Sequence, residues 1–492
     1  MAACCFSPCR QAYKRHVDAI YPAVAEEGIV KIKMESLMYF AMTSPEKLDR
    51  IGEYLAHRIS RDIGRNGRKE FVFIGLDAMD QLLASACHVR TLNLFVESFL
   101  KTIQKLLESN DPDMQIKASE SFLRFSKLEE DTPCYHRSYD FFISRFASMC
   151  TSSHPDEGTR TRLRISGLEG LSGVIRKTVN EDLAENIWEI THMQKIVGSL
   201  LFNLLSNSNI NQDLNLENDQ GGPVTLGGRG TPDPLGTGKT VTASDKADQI
   251  LRELVTFAST ISDIKAILGP VLRHMDDNQI WLQKSNAGYP SNASVYTFTA
   301  IMYSVQTDIS HVVIEEILSH IDSSTTTSTS FFSKNANFSV FPVENFIQFH
   351  IIFLIFIVPI KTRVADVLAR IIGIGVGDST VGPAVLEIIN SLLKHLNASV
   401  KLGRKYEEPG SRAIQDYQSA LLRALGEYTS KMPDFQKTEN MTFILTKIPT
   451  DQQQHLYPEF FTDVQHIFMK ALFSVAEKHT STLFSSTFST GR

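Results

Sequence analysis

One pattern governs what this chain can fold into. Apolar side chains recur three or four residues apart, in helix-length runs joined by short polar connections. The first clear run carries Ile51, Leu55, Ile59 and Ile63, a single stripe along one helix face. Its start reads as Ser44 at the N-cap, Pro45 at the first helical position and Glu46 in the first turn. Gly64 and Gly67 are the expected stop.

Similar runs follow. Residues 70–86 carry Phe73, Leu76, Met79, Leu83 and Ala86, and residues 92–108 carry Leu92, Phe95, Phe99, Ile103 and Leu106. Asp111-Pro112 opens a further helix holding Ile116, Phe122 and Phe125. The same periodicity predicts helices over 140–150, 160–179, 193–205, 245–267, 292–308, 311–320, 364–372, 385–396, 413–428, 441–445 and 457–477. No strand pair or βαβ alternation is present. Paired helices at intervals of about 40 residues predict an all-α fold of armadillo/HEAT-like repeats, an α-solenoid rod. No consensus motif recurs, so an irregular helical bundle is the alternative.

Two stretches break the pattern. Residues 206–247 are rich in Asn, Gly and Pro and lack the apolar content to fold, which predicts a disordered loop. Within it Gly236-Thr-Gly-Lys-Thr240 resembles the end of a phosphate-binding loop. Asp233 stands where the first glycine is required, and no strand precedes it. Residues 322–360 begin with a Ser/Thr run and end in the apolar Ile351–Val358. The uncharged window Asn345–Ile360 is sixteen residues, against about 20 for a spanning helix. A membrane segment, a buried helix and translated intron are the three readings. The chain thus divides into a tip 1–30, helical repeats over 31–205, 248–321 and 361–480, the loop 206–247, the anomalous insert 322–360 and a truncated end 481–492.

The tip sets the functional expectation. Cys4, Cys5 and Cys9 are three of the chain's six cysteines, and Arg10, Lys14 and Arg15 follow before any acidic residue. Clustered thiols on a basic N-terminus suit S-acylation. Two or three acyl chains, or one with a basic patch, anchor stably, and each Lys or Arg near an anionic leaflet adds about 1 kcal/mol. A disordered tip and a metal site are the competing readings, though no second ligand pair follows. Ala2 excludes N-myristoylation. Arg58, Arg61, Arg65, Arg68 and Lys69 form a second basic run, read either as a solvated helix face or as a second membrane contact. Cys87, Cys134 and Cys150 lie scattered in apolar contexts, as reduced thiols do. A net charge of -6 argues against bulk nucleic-acid binding.

Catalytic motifs are scarce in the sequence. There is no G-x-S-x-G elbow, H-E-x-x-H or paired C-x-x-C. No resident cofactor or metal is expected beyond covalent palmitate. A membrane-associated lipase stays open as the enzymatic rival, and an integral protein held by residues 345–360 as the third reading.

Several ordered blocks carry a resemblance. Pro45-Glu-Lys-Leu-Asp-Arg-Ile-Gly-Glu-Tyr-Leu55, Ser60-Arg-Asp62, Glu129-Glu-Asp-Thr-Pro-Cys-Tyr-His-Arg-Ser-Tyr-Asp-Phe-Phe-Ile-Ser-Arg-Phe146, Arg176-Lys-Thr-Val-Asn180 and Leu393-Lys-His-Leu396 resemble the Efr-three, or rolling blackout, family. The resemblance implies a non-catalytic, palmitoylated scaffold on the cytoplasmic face of the plasma membrane, with a cytosolic pool. It would bind anionic inner-leaflet lipids and dock the type III alpha phosphatidylinositol 4-kinase complex through a tetratricopeptide-repeat adaptor. By the same resemblance Cys4, Cys5 and Cys9 carry the lipid. Arg58, Arg61, Arg65, Arg68 and Lys69 face the membrane. His320-Ile-Asp and Lys361-Thr-Arg-Val look contiguous in the family, which favours translated intron between them. Family chains also run well beyond Thr490, so the tail that engages the adaptor is expected to be missing.

Overall fold

The structure, a computed structural model, describes residues 12–65, 67–86, 92–128, 139–179, 187–205, 241–282, 292–335, 357–376, 383–403, 410–450, 454 and 461–489. Among them are eighteen α-helices and no strand. Cα packing divides the chain into two units, Met1–Leu204 with Leu235–Ile250, and Leu205–Pro234 with Leu251–Arg492.

The first unit opens with α1 (Ala12–Ala19) and α2 (Lys31–Thr43), followed by α3 (Leu48–Ile63), α4 (Lys69–Ser85), α5 (Leu92–Glu108) and α6 (Pro112–Ser126). Then come α7 (Tyr139–Cys150), α8 (Glu157–Val179) and α9 (Ile190–Leu204). Helices pack on their neighbours and on the next but one: α3 on α5, α4 on α6, α6 on α8, α7 on α9. That repetition is what stacked helical repeats produce, because one repeat cannot bury its apolar face alone. Three of the four residues of the expected stripe, Ile51, Leu55 and Ile59, are buried, while Ile63 at the end of α3 is half-buried. Asp111 caps α6 as expected, its carboxylate accepting from the Asp113 N–H at 2.9 Å. Ser44 does not cap α3. A 3₁₀ turn, Pro45–Lys47, intervenes, and no side-chain capping hydrogen bond forms there.

Three glycines in α8 let it approach its neighbours closely, Gly167 and Gly170 against α7 and Gly173 against α6. A Cβ at Gly167 would lie 2.8 Å from the backbone N of Cys150 and O of Phe146. One at Gly170 would meet the Phe146 ring, and one at Gly173 would stand 3.2 Å from Phe122 Cδ1. Spaced by three, they form a groove that admits a cluster of aromatic rings. Phe122 lies 4.8 Å from Phe142 and 5.2 Å from Phe146, centroid to centroid, and all three are fully buried.

The second unit continues the scheme. Val358–Ile371 packs on Gly410–Ser430, which packs on Phe461–Ser489. The single helix expected over 245–267 is instead two, Ala243–Phe257 and Ile261–Asp277. Thr260 breaks it with a capping box: Asp263 N–H donates to Thr260 Oγ1 at 3.3 Å, and Thr260 N–H donates to Asp263 Oδ2 at 2.9 Å. The helix expected over 311–320 runs as Ser310–Asn335, into the Ser/Thr run. Most of the apolar stretch of the insert, through residue 356, lies outside the described residues, as does nearly all of the 206–247 loop.

His395 is buried in this unit, with Nδ1 3.5 Å from the Tyr417 hydroxyl and 3.6 Å from Asp322 Oδ1. Burial holds its pKa below the ordinary imidazole value, against the pull of Asp322, and burial does the same to His274. Below about pH 6.5 the unfolded chain therefore takes up protons that the folded chain refuses. Stability is expected to fall as pH drops from about 7 toward 5. Urea midpoints across that range should decline, and a His395→Phe variant should flatten the slope. A wild-type midpoint that rises on acidification would contradict this assignment.

Candidate membrane-facing site

Cys4, Cys5, Cys9 and Arg10 lie outside the described residues. Helix α1 runs antiparallel to α2. Val30 N–H donates to Ile20 O at 3.0 Å, while the His16 ring stacks on Phe40 with centroids 4.8 Å apart. The start of α1 therefore stands beside the C-terminal turn of α2. Lys14 lies over the rings of Tyr13 and Tyr54, at 5.8 and 5.5 Å, and Arg15 is exposed.

The second basic run does not act as one face. Arg58 pairs with Asp18 of α1 and stacks 3.6 Å above the Tyr21 ring. Its side chain is only 17% exposed. The Tyr54 hydroxyl donates to the same Asp18 carboxylate at 3.2 Å. Arg58 thus ties α3 to α1. Burial pushes the Tyr21 hydroxyl pKa above its ordinary range. Lys69 is likewise engaged, 2.9 Å from Asp111 and 2.6 Å from Asp113.

Arg61, Arg65 and Arg68 converge on one buried carboxylate. Asp62 is fully enclosed, and the three guanidinium groups lie 3.5, 4.0 and 3.9 Å from it. Each of the three side chains is 42–55% exposed. Three cations around one anion leave a net positive surface at the end of α3, open to solvent and chemically suited to anionic headgroups. Arg58 and Lys69 were read with them because they share a sequence window. Their partners lie about forty residues away along the chain, so no local pattern could have separated them.

A shallow recess of about 240 Å³ beside Lys69 is lined by Lys117, Arg162, Glu70, Asp113 and Glu120. Its cations are answered: Lys117 by Asp77 at 3.2 Å and Arg162 by Asp113 at 3.2 Å. Among the described residues no group of His, Cys, Asp or Glu is placed to hold a metal ion. No described helix is long and apolar enough to cross a membrane.

Sequence reading missed one surface. Helix α2 is apolar on two opposite faces, with Met34, Leu37 and Ala41 buried and Ile32, Tyr39 and Met42 exposed. Opposed stripes cancel, so the helix shows no amphipathic pattern.

Stacked helix pairs with i-to-i+2 packing define an armadillo-like helical repeat protein. The family profile described as EFR3, armadillo repeat, matches residues 34–339 and 357–491, and the chain belongs to the EFR3 family. It is 40% identical over 486 residues to protein EFR3 homolog cmp44E of Drosophila melanogaster, covering 98% of this chain and 51% of that protein. It is 38% identical to EFR3 homolog B of Mus musculus, covering 92% of this chain and 50% of that one. The chain spans about half the length of the curated relatives it matches. A crystal structure of Efr3 superimposes with a TM-score of 0.55 at 14% identity, over 95% of this chain and 72% of that one, which is a likeness of fold. Residues 340–356, inside the anomalous insert, fall between the two matched segments.

Proposed function

We propose that this chain is the membrane-anchoring part of a non-catalytic scaffold at the cytoplasmic face of the plasma membrane. S-palmitoylation of Cys4, Cys5 and Cys9 holds it there. Arg10, Lys14 and Arg15, with the Arg61, Arg65 and Arg68 cluster, contact anionic inner-leaflet lipids. The whole protein recruits a type III alpha phosphatidylinositol 4-kinase complex through a tetratricopeptide-repeat adaptor and so supports phosphatidylinositol 4-phosphate synthesis. Tethering achieves this by raising local concentration, without new chemistry. The observation that carries the reading is membership of the EFR3 family across nearly the whole chain.

Metabolic labelling with an alkyne palmitate tests the anchor. The chain should label, resist carbonate extraction, and leave the membrane when hydroxylamine cleaves its thioesters. A chain that resists carbonate but survives hydroxylamine is held by an integral segment instead. Labelling of a serine by a fluorophosphonate probe would point to the lipase reading.

A further inference from the structure

One face of α2 stays exposed among the described residues. Ile32 is 75% exposed, Tyr39 73% and Met42 54%. At 100° per residue they lie within about 80° of arc, opposite the buried Met34, Leu37 and Ala41. Val24, 52% exposed, precedes the helix. Lys31 and Lys33 are exposed at its N-terminal end, and Glu35 is exposed within the stripe.

We infer that this face is a membrane seat, in which Ile32, Tyr39 and Met42 enter the headgroup boundary of an anionic bilayer. The inference rests on the anchored reading above and adds a second, non-covalent contact to it. Position argues for a bilayer over a protein partner. The chain enters α1 beside the C-terminal turn of α2, where Tyr39 and Met42 stand. Cys9 is three residues before Ala12, a reach of at most about 11 Å of extended chain. An acyl group there would hold α2 against the lipid surface. The chemistry agrees: an apolar stripe with an aromatic hydroxyl and flanking lysines is the composition of an interfacial helix. Glu35, exposed within the stripe, limits the seat to a shallow depth, because its charge cannot be buried in the acyl region.

The test separates this contact from acylation. The full chain is produced without lipid in bacteria, with a hexahistidine tag at its N-terminus. It is tethered to phosphatidylcholine–phosphatidylserine vesicles doped with a nickel-chelating lipid, so that the tip is at the membrane whatever cells do to its thiols. Tyr39→Trp supplies the probe, with the wild-type chain as background for Trp188 and Trp281. On vesicle binding the added emission should shift to the blue, and lipids brominated along the acyl chain should quench it. Adding Ile32→Ser and Met42→Ser should abolish both signals and speed release by imidazole about tenfold, with circular dichroism unchanged.

Three results would overturn the inference. One is an introduced tryptophan that brominated chains do not quench. Another is one already blue-shifted in solution, which would mean that the chain's own tip covers the face. The third is a dimer in sedimentation that the serine substitutions dissolve, which would make the occupant a second copy. Failure of palmitate labelling in cells would remove the anchored reading and leave these measurements untouched.

Discussion

Replacing Cys4, Cys5 and Cys9 together by serine is expected to move the protein from membrane to cytosol almost completely. The magnitudes decide this. Each buried methylene of an acyl chain contributes about 0.8 kcal/mol, so one palmitoyl group contributes on the order of 10 kcal/mol before the cost of immobilisation. Arg10, Lys14 and Arg15 supply roughly 1 kcal/mol each near an anionic leaflet. Without the acyl chains only that modest electrostatic term remains, together with the arginine cluster at the end of α3 and the apolar face of α2. Any single Cys→Ser change leaves two thiols, and two acyl chains suffice for stable anchoring. Fractionation of the three single variants and the triple variant checks both statements. The single variants should stay on membranes, and the triple variant should drop by more than about a hundredfold in its membrane-to-cytosol ratio. A triple variant that stays fully membrane-bound would show that the anchor lies elsewhere in the chain.

Gly167→Val is expected to destabilise the first unit by about 3 kcal/mol or more. Its Cβ would stand 2.8 Å from backbone atoms of both Phe146 and Cys150 and 2.9 Å from Met149 Cβ. Main-chain atoms cannot rotate away, so α7 and α8 must separate and the ring cluster of Phe122, Phe142 and Phe146 must loosen with them. Helix propensity does not offset this, because glycine is at most about 1 kcal/mol worse than alanine in a helix interior. Gly198 in α9 is the matched control, since nothing lies within 4 Å of an added Cβ there. Gly198→Ala should stabilise by roughly 0.4–1 kcal/mol. Thermal melts should separate the two: a drop of roughly 6–12 °C for Gly167→Val and a small rise for Gly198→Ala. Equal effects at both positions would refute close α7–α8 packing.

The family connection was legible because the residues that carry the resemblance are contiguous, in the blocks from Pro45 to Leu55 and from Glu129 to Phe146. The candidate site was legible only in part. Five basic residues between Arg58 and Lys69 read as one face, yet two of them are committed to aspartates on other helices. The exposed stripe of α2 could not be seen at all, since apolar content alone does not say which side faces solvent.

The sequence by itself determined that the chain is helical, roughly where most helices lie, and most of the buried stripe of those from α3 to α6. Those outcomes follow from local chemistry: a period of 3.6 residues, Asp111 before Pro112, glycines after Ile63. Only the tertiary structure decided that Gly167, Gly170 and Gly173 form a packing groove rather than a break, that Asp62 gathers three arginines while Arg58 and Lys69 turn elsewhere, and that α2 keeps an apolar face uncovered. Each of these depends on atoms that are distant along the chain and close in space, and periodicity along one helix carries no information about its neighbours.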